Sequence, residues 1–298
     1  GYTGFENVGG MTVLSYGFPY KEAPKTYIRK LTLAPSVEAF QLLRKGDSIT
    51  LTWELSEIDA ADFSECVQRT WEYCYDTNRP QPVNTPYTVD RMKDVLSNFF
   101  VESYVNTTPT HYYSGVELKT ATCDNTDVAE VGFVGRTLLN AFNALEYGSQ
   151  QNRPELVNSA NSIFDTYLTN GFSPAGFFNE VVHYNRDFKE ANLSIRRQSE
   201  GVYAILNYLD YEKQHKRKHP EWEKRLKVIL DSFLRLQNAD GSFPRKFKDD
   251  FSIVDGTGGS TPSATLPLVM AYKYFKDKRY LESAKRTVNY LENELISK

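Results

Sequence analysis

The chain has 298 residues, 40% of them apolar and 24% charged, which is enough to bury a sizeable core in one or two domains. It holds no apolar run near the roughly 20 residues that span a bilayer, and this excludes membrane insertion by a helix. Its 35 basic and 38 acidic residues leave a net charge of -3, so no global field recruits nucleic acid or an anionic membrane.

The first 55 residues predict β structure. Tyr27 to Leu33 alternates, and Ser48 to Leu55 follows a Lys45-Gly46-Asp47 turn with the same period of two. This is too short for a full sandwich, so residues 1–56 are expected to form a partial one, with residues 57–298 as a helical domain. From Asp59 the period becomes helical. Asp59 is expected to cap a helix to about Tyr75 with Phe63, Cys66, Val67 and Trp71 on one side. Thr88 caps a second helix, from Val89 to about Val105, after a stiff loop holding Pro80, Pro82 and Pro86. A loop with His111-Tyr112-Tyr113 and a short hairpin follow. Cys66, Cys74 and Cys123 stand in no CxxC pattern and read as structural thiols, and no metal or organic cofactor is implied. Gly1 in place of an initiating Met predicts a processed or trimmed chain.

Beyond residue 106 the chain repeats. Asn143-Ala144-Leu145-Glu146-Tyr147, Asn207-Tyr208-Leu209-Asp210-Tyr211 and Ala271-Tyr272-Lys273-Tyr274-Phe275 end three helices at offsets of 64 positions. Each is followed by a polar turn and a second helix, from Pro154 to Leu168, Pro220 to Leu236 and Arg279 to Leu295. The basic run His215 to His219 falls in one of these turns and reads as a solvated connection. Two helices per repeat predict stacked αα-hairpins, each burying a face on its neighbours. Residues 59 to 105 are a candidate fourth pair. A closed ring of six hairpins needs about 360 residues at this repeat length, so an open arc or a truncated ring is expected.

The turn Gln237-Asn238-Ala239-Asp240-Gly241-Ser242-Phe243-Pro244, between an outer helix and the next inner one, resembles the connecting turn of the six-hairpin glycosidase superfamily, the (α/α)-toroid enzymes. Many of these carry an N-terminal β-sandwich, and Phe40 to Thr52 resembles the end of one. Terpene cyclases share a similar turn, but their Asp-x-Asp-Asp motif is absent here. The resemblance implies a mainly α fold, an incomplete or open toroid with a small N-terminal β segment. It also implies a poly- or oligosaccharide ligand, and export to the bacterial periplasm or cell surface. The ligand pocket would be lined by the N-terminal ends of the inner helices.

On the inner helix Leu193 to Tyr211, Ile195, Val202, Ile205, Leu206 and Leu209 form an apolar stripe, with Arg197, Glu200, Ala204 and Asn207 opposite. Small Gly201 and Ala204 are expected to leave room for a ligand beside Glu200. The preceding inner helix places Arg136 at the repeat position of Glu200, where the two meet a polar glycan or pair with one another. Glycoside hydrolysis needs two carboxyl groups across the bond. Glu200 is the preferred acid or base. Asp127, Glu130, Asp240 and Asp255 are candidates for its partner, although the first two equally suit a helix start and Asp240 a turn. Polysaccharide lyase chemistry, which the resemblance to toroid enzymes also implies, is the rival, with His111, Tyr112 or Tyr113 as base and Arg197 or Arg245 neutralising a uronate. A non-catalytic glycan-binding scaffold is a third possibility. The loop Asp255 to Thr261 has glycines but no GKS or GKT, so it is a poor phosphate cradle. Ser260 or Thr261 is expected to cap the helix that Pro262 opens.

Overall fold

The computed structural model describes residues 2–18, 20–22, 25–27, 32–34, 37–106, 110–113, 128–130, 137–183 and 192–297. Two compact units arise, residues 1–83 and residues 84–298. Their boundary falls in the proline loop, so of the two helices predicted over 59–105 only the second shares a unit with the hairpins.

In the first unit β1 (Tyr2–Val8) and β2 (Met11–Gly17) form an antiparallel hairpin. Gly9 and Gly10 connect them at φ of 60° and 85°, as a two-residue turn with the twist of the strands requires. Within the next segment β3 (Tyr20–Glu22) pairs with β6 (Val37–Ala39), and β4 (Lys25–Tyr27) with β5 (Thr32–Ala34). The strand expected from Tyr27 to Leu33 is therefore two strands, with residues 28–31 outside the described set. Ser48 to Leu55 forms no strand. Its alternating Ile49, Leu51, Trp53 and Leu55 are all exposed, so no sheet face draws them into pairing. Helix α1 (Phe63–Asn78) starts later than expected, because Asp62 caps it and Glu65 reaches back to the residue before the cap. Asp62 Oδ1 accepts from the Glu65 amide at 2.8 Å, and Glu65 Oε2 accepts from the Ala61 amide at 2.7 Å.

The second unit begins with α2 (Val89–Ser103), capped as expected by Thr88, whose hydroxyl accepts from the Arg91 amide at 3.1 Å. Then come β7 (Tyr104–Val105), β8 (His111–Tyr112), β9 (Val128–Glu130), α3 (Leu138–Gln150), α4 (Pro154–Asn170), β10 (Val181–His183) and β11 (Leu193–Ser194). The chain continues with α5 (Ile195–Gln214), α6 (Pro220–Leu236), β12 (Lys246–Phe247), β13 (Ile253–Asp255), α7 (Pro262–Phe275) and α8 (Lys278–Leu291). A π-helical turn at Glu292–Ile296 follows.

The hairpins are α3 with α4, α5 with α6 and α7 with α8, while α5 also packs between α3 and α7. The inner layer is thus α3, α5 and α7, the three helices whose ends carry the 64-residue phase. This is a mainly α, toroid-like array with a small β segment. Apolar burial drives it: Trp222, Leu226, Ile229, Leu230 and Phe233 on α6 recur every three or four residues and are all but inaccessible. Full burial stabilises each such side chain by roughly 1.5–3 kcal/mol. Pro154 and Pro220 open the outer helices at a position where a missing N–H costs nothing. Thr261 does not cap α7 with its side chain. Its hydroxyl instead accepts from the Phe243 amide at 2.9 Å and ties the preceding turn to the helix start.

Candidate functional site

The inner helices start where the short strands meet. β10 leaves the Ser173–Phe178 turn and pairs with β9, while β11 runs into α5 and pairs with β12, which pairs with β13. At the head of α5 stands Glu180, a carboxylate that no sequence pattern singled out. Its side chain is only 1% exposed, and it accepts from the Ser194 amide, from Gln198 Nε2 at 3.2 Å and from Arg197 Nη1 at 3.3 Å. Gln198 completes the lock, donating to the Phe178 carbonyl at 2.8 Å and accepting from the Phe178 amide at 2.9 Å. A carboxylate is favoured there by the unpaired amides and partial positive charge of the helix start. The repeat marks the position, since Glu180 precedes Arg245 by 65 residues in the equivalent turns, but it does not mark a carboxylate there.

One turn along α5, Glu200 is half-buried. Its Oε1 accepts from Arg196 Nε at 3.1 Å, and its Oε2 is enclosed with no hydrogen-bond partner among the described residues. Arg136, expected either to pair with Glu200 or to meet a glycan beside it, lies outside the described residues, as do Asp127 and Cys123. Glu130 ends strand β9, opposite Val181, rather than opening a described helix. Ser194 takes the equivalent place in the next repeat, opposite Lys246, and there it caps α5 through the Arg197 amide at 3.3 Å. Gly201 and Ala204 do not line open space beside Glu200. Both are buried, Ala204 within the core, so the half-open face of α5 carries Tyr203 and Asn207 instead.

The remaining candidates are dispersed. Tyr112 is buried against Phe100 and Tyr104, with its hydroxyl 3.4 Å from that of Ser159, and burial pushes its phenol up to about 12. Tyr113 is half-buried, and its amide donates to the Ser103 carbonyl at 2.9 Å. Asp240 is exposed and accepts from the Ser242 hydroxyl at 2.7 Å and amide at 2.9 Å; both hold its carboxyl below the usual range. Arg245 pairs with Asp255 at 3.1 Å, and Asp255 also accepts from the Thr257 hydroxyl, which does most to lower its carboxyl. The structure thus brings Glu180, Arg197 and Glu200 to the head of α5. Arg245 is close in the fold through β12, and Tyr112 belongs to the core. Among the described residues no group of three or more His, Cys, Asp or Glu is placed to hold a metal ion, and no helix is long and apolar enough to cross a membrane.

No protein-family model and no curated protein matches the chain. Solved structures do match. A possible member of the GH105 family from Salmonella enterica subsp. enterica serovar Paratyphi A aligns over 76% of this chain and 57% of its own, with a TM-score of 0.56 and 15% identity. One from Klebsiella pneumoniae subsp. pneumoniae covers the same shares at a TM-score of 0.52 and 13% identity. A D-mannose isomerase aligns over 72% of this chain and 54% of its own, with a TM-score of 0.54 and 11% identity. The chain spans a little over half the length of these structures, and at such identities the likeness is one of fold. The helical array shares an (α/α)-toroid fold with the aligned part of these structures.

Proposed function

We propose that this protein is a carbohydrate-active enzyme that hydrolyses glycosidic bonds in a poly- or oligosaccharide, with Glu200 as the acid or base. The observation that carries the proposal is the condition of Glu200, with one oxygen fixed by Arg196 and the other shielded from water without a described partner. An oxygen in that condition has hydrogen-bonding capacity left for a substrate atom, and the geometry of its carboxyl is already set. Glu130 or Asp127 would supply the second carboxylate. Arg197, anchored on Glu180 yet 31% exposed, would orient the sugar. Of the rival tyrosine bases for elimination, Tyr112 is enclosed in the core, where burial pushes its phenol up to about 12, which leaves the half-buried Tyr113 as the tyrosine that elimination would need.

The test is incubation with neutral and uronate polysaccharides while new reducing ends are counted. Hydrolysis raises that count, and Glu200→Gln lowers the rate by about a hundredfold or more, as loss of a general acid does. Unsaturated products absorbing in the near ultraviolet would mean a lyase. A changed monosaccharide with no new ends would mean isomerisation, the reaction named for one of the matching structures. Binding without turnover, unaltered in Glu200→Gln, would leave a glycan-binding scaffold.

A further inference from the structure

At the other end of the inner helices lies a cleft that the proposal above does not use. Glu146, Ser149 and Gln150 from the end of α3 and Tyr211, Gln214 and His215 from the end of α5 line an open space of about 400 Å3. Its aromatic wall is fixed in place. Tyr211 packs edge-on to Phe142 at 6.0 Å and lies 4.2 Å from the ring of His215. His215 Nδ1 lies 2.8 Å from the Tyr211 carbonyl oxygen. A carbonyl only accepts, so Nδ1 carries the hydrogen, and the neutral ring keeps Nε2 as an acceptor. The electrostatics of the cleft disfavour anions, because it lies at two helix C-termini, the negative ends of their dipoles, and Glu146 adds a carboxylate. The neighbouring cations do not offset this. Arg217 is held by Glu212, Lys213 sits over Tyr274, and neither Lys216 nor Lys218 is part of the walls. An aromatic surface ringed by carboxylate, amides and hydroxyl suits an uncharged polyol with one apolar face.

The cleft is joined to Glu200 by one face of α5. Arg196, Glu200, Tyr203, Asn207, Tyr211 and Gln214 recur every three or four residues, fall within an arc of about 80°, and none is buried. Glu200 and Tyr211 are about 16 Å apart along the axis, farther than a single hexose reaches. We infer that the cleft is a distal subsite for a neutral sugar unit, so that the substrate is a linear neutral oligosaccharide lying along α5 with its reacting bond at Glu200. This rests on the hydrolytic reading of Glu200.

The experiment uses the full chain on an array of glucose- and mannose-based oligosaccharides, from monomer to hexamer, beside uronate oligomers of the same lengths. Retention is expected on the neutral chains only, rising with length. Tyr211→Ala should lower retention of the long neutral chains by about tenfold, the size of one aromatic contact. Ser149→Trp, which fills the cleft from an exposed position and removes no packing, should do the same. If both variants retain long chains as the parent does, or if uronate chains are preferred, the subsite is overturned. Cleavage sensitive to Glu200→Gln would then leave the hydrolytic reading standing. If no chain is retained or cleaved, both fall.

Discussion

Glu180 and Glu212 show what partners a buried carboxylate of the helical array takes up. Glu180 spends its acceptors on the start of α5, so Glu180→Ala would remove the acceptor of the Ser194 amide and the ion pair with Arg197. The expected loss is about 2 kcal/mol, the size of hydrogen bonds to a charged group, read from denaturant unfolding; a loss below about 1 kcal/mol would mean that the lock is idle. Glu212 stands near the C-terminus of α5. Burial by itself raises its carboxyl, but hydrogen bonds from Arg217 and His219 outweigh burial and hold it below its usual range. A lowered native value means that its stabilisation is complete above the unfolded carboxylate value of about 4.3 and is lost as the pH falls through the native one. The melting temperature of Glu212→Gln should therefore lie below the parent's at neutral pH, with the gap closing in acid. A gap that widens in acid would reverse the assignment. Legibility at this scale was uneven. Thr88 was readable because a cap and its target are local in sequence. Asp62 was missed in favour of Asp59, although a glutamate three positions on is a sequence mark of a helix start, and Glu180 was invisible because its partners come from a separate segment.

The connecting turns show what the repeat demands of single elements. In Ser173–Phe178 the Ser173 amide donates to the Phe177 carbonyl at 2.8 Å, and in Asn238–Phe243 the Asn238 amide donates to that of Ser242 at 2.9 Å. Gly176 and Gly241 take φ of 91° and 95° at matching places, each against the following outer helix. A Cβ on Gly241 would lie 2.2 Å from the Arg286 carbonyl oxygen, which the α8 backbone cannot yield. On Gly176 it would meet a Val228 methyl at 2.7 Å, and a side chain can move. Gly241→Ala should thus cost upwards of about 2 kcal/mol and Gly176→Ala nearer 1, since both carry the left-handed backbone penalty but only one collides with backbone. Equal melting temperatures for the two variants would contradict this. The turns and the hairpins were legible because amphipathic periodicity and glycine placement are local quantities. The Ser48–Leu55 strand was not, because alternation becomes a strand only when a partner covers one face, and sequence alone does not state whether one exists.

Across the whole chain, apolar burial is lopsided. Every fully packed apolar side chain of the core cluster belongs to residues 84–298, from Tyr112 to Ala284. Among the residues of 1–83 whose side chains are described none is buried, and α1 exposes Phe63 and Trp71 at 83% and 73%. The apolar stripe read on α1 is real as a pattern, but no described neighbour takes it up. The opposite holds for α5, whose stripe is sealed between two inner neighbours. Ordering the backbone of a residue costs roughly 1–2 kcal/mol, and without burial little offsets that cost. Opening energies should therefore rise from near zero in α1 and the β1–β2 hairpin to the global value in α5 and α6. Hydrogen exchange read by mass spectrometry on the intact chain checks this: peptides from 63–78 should exchange orders of magnitude faster than those from 198–212. Comparable protection in α1 would show that its apolar face is covered in solution, and the lopsided distribution of stability would have to be abandoned.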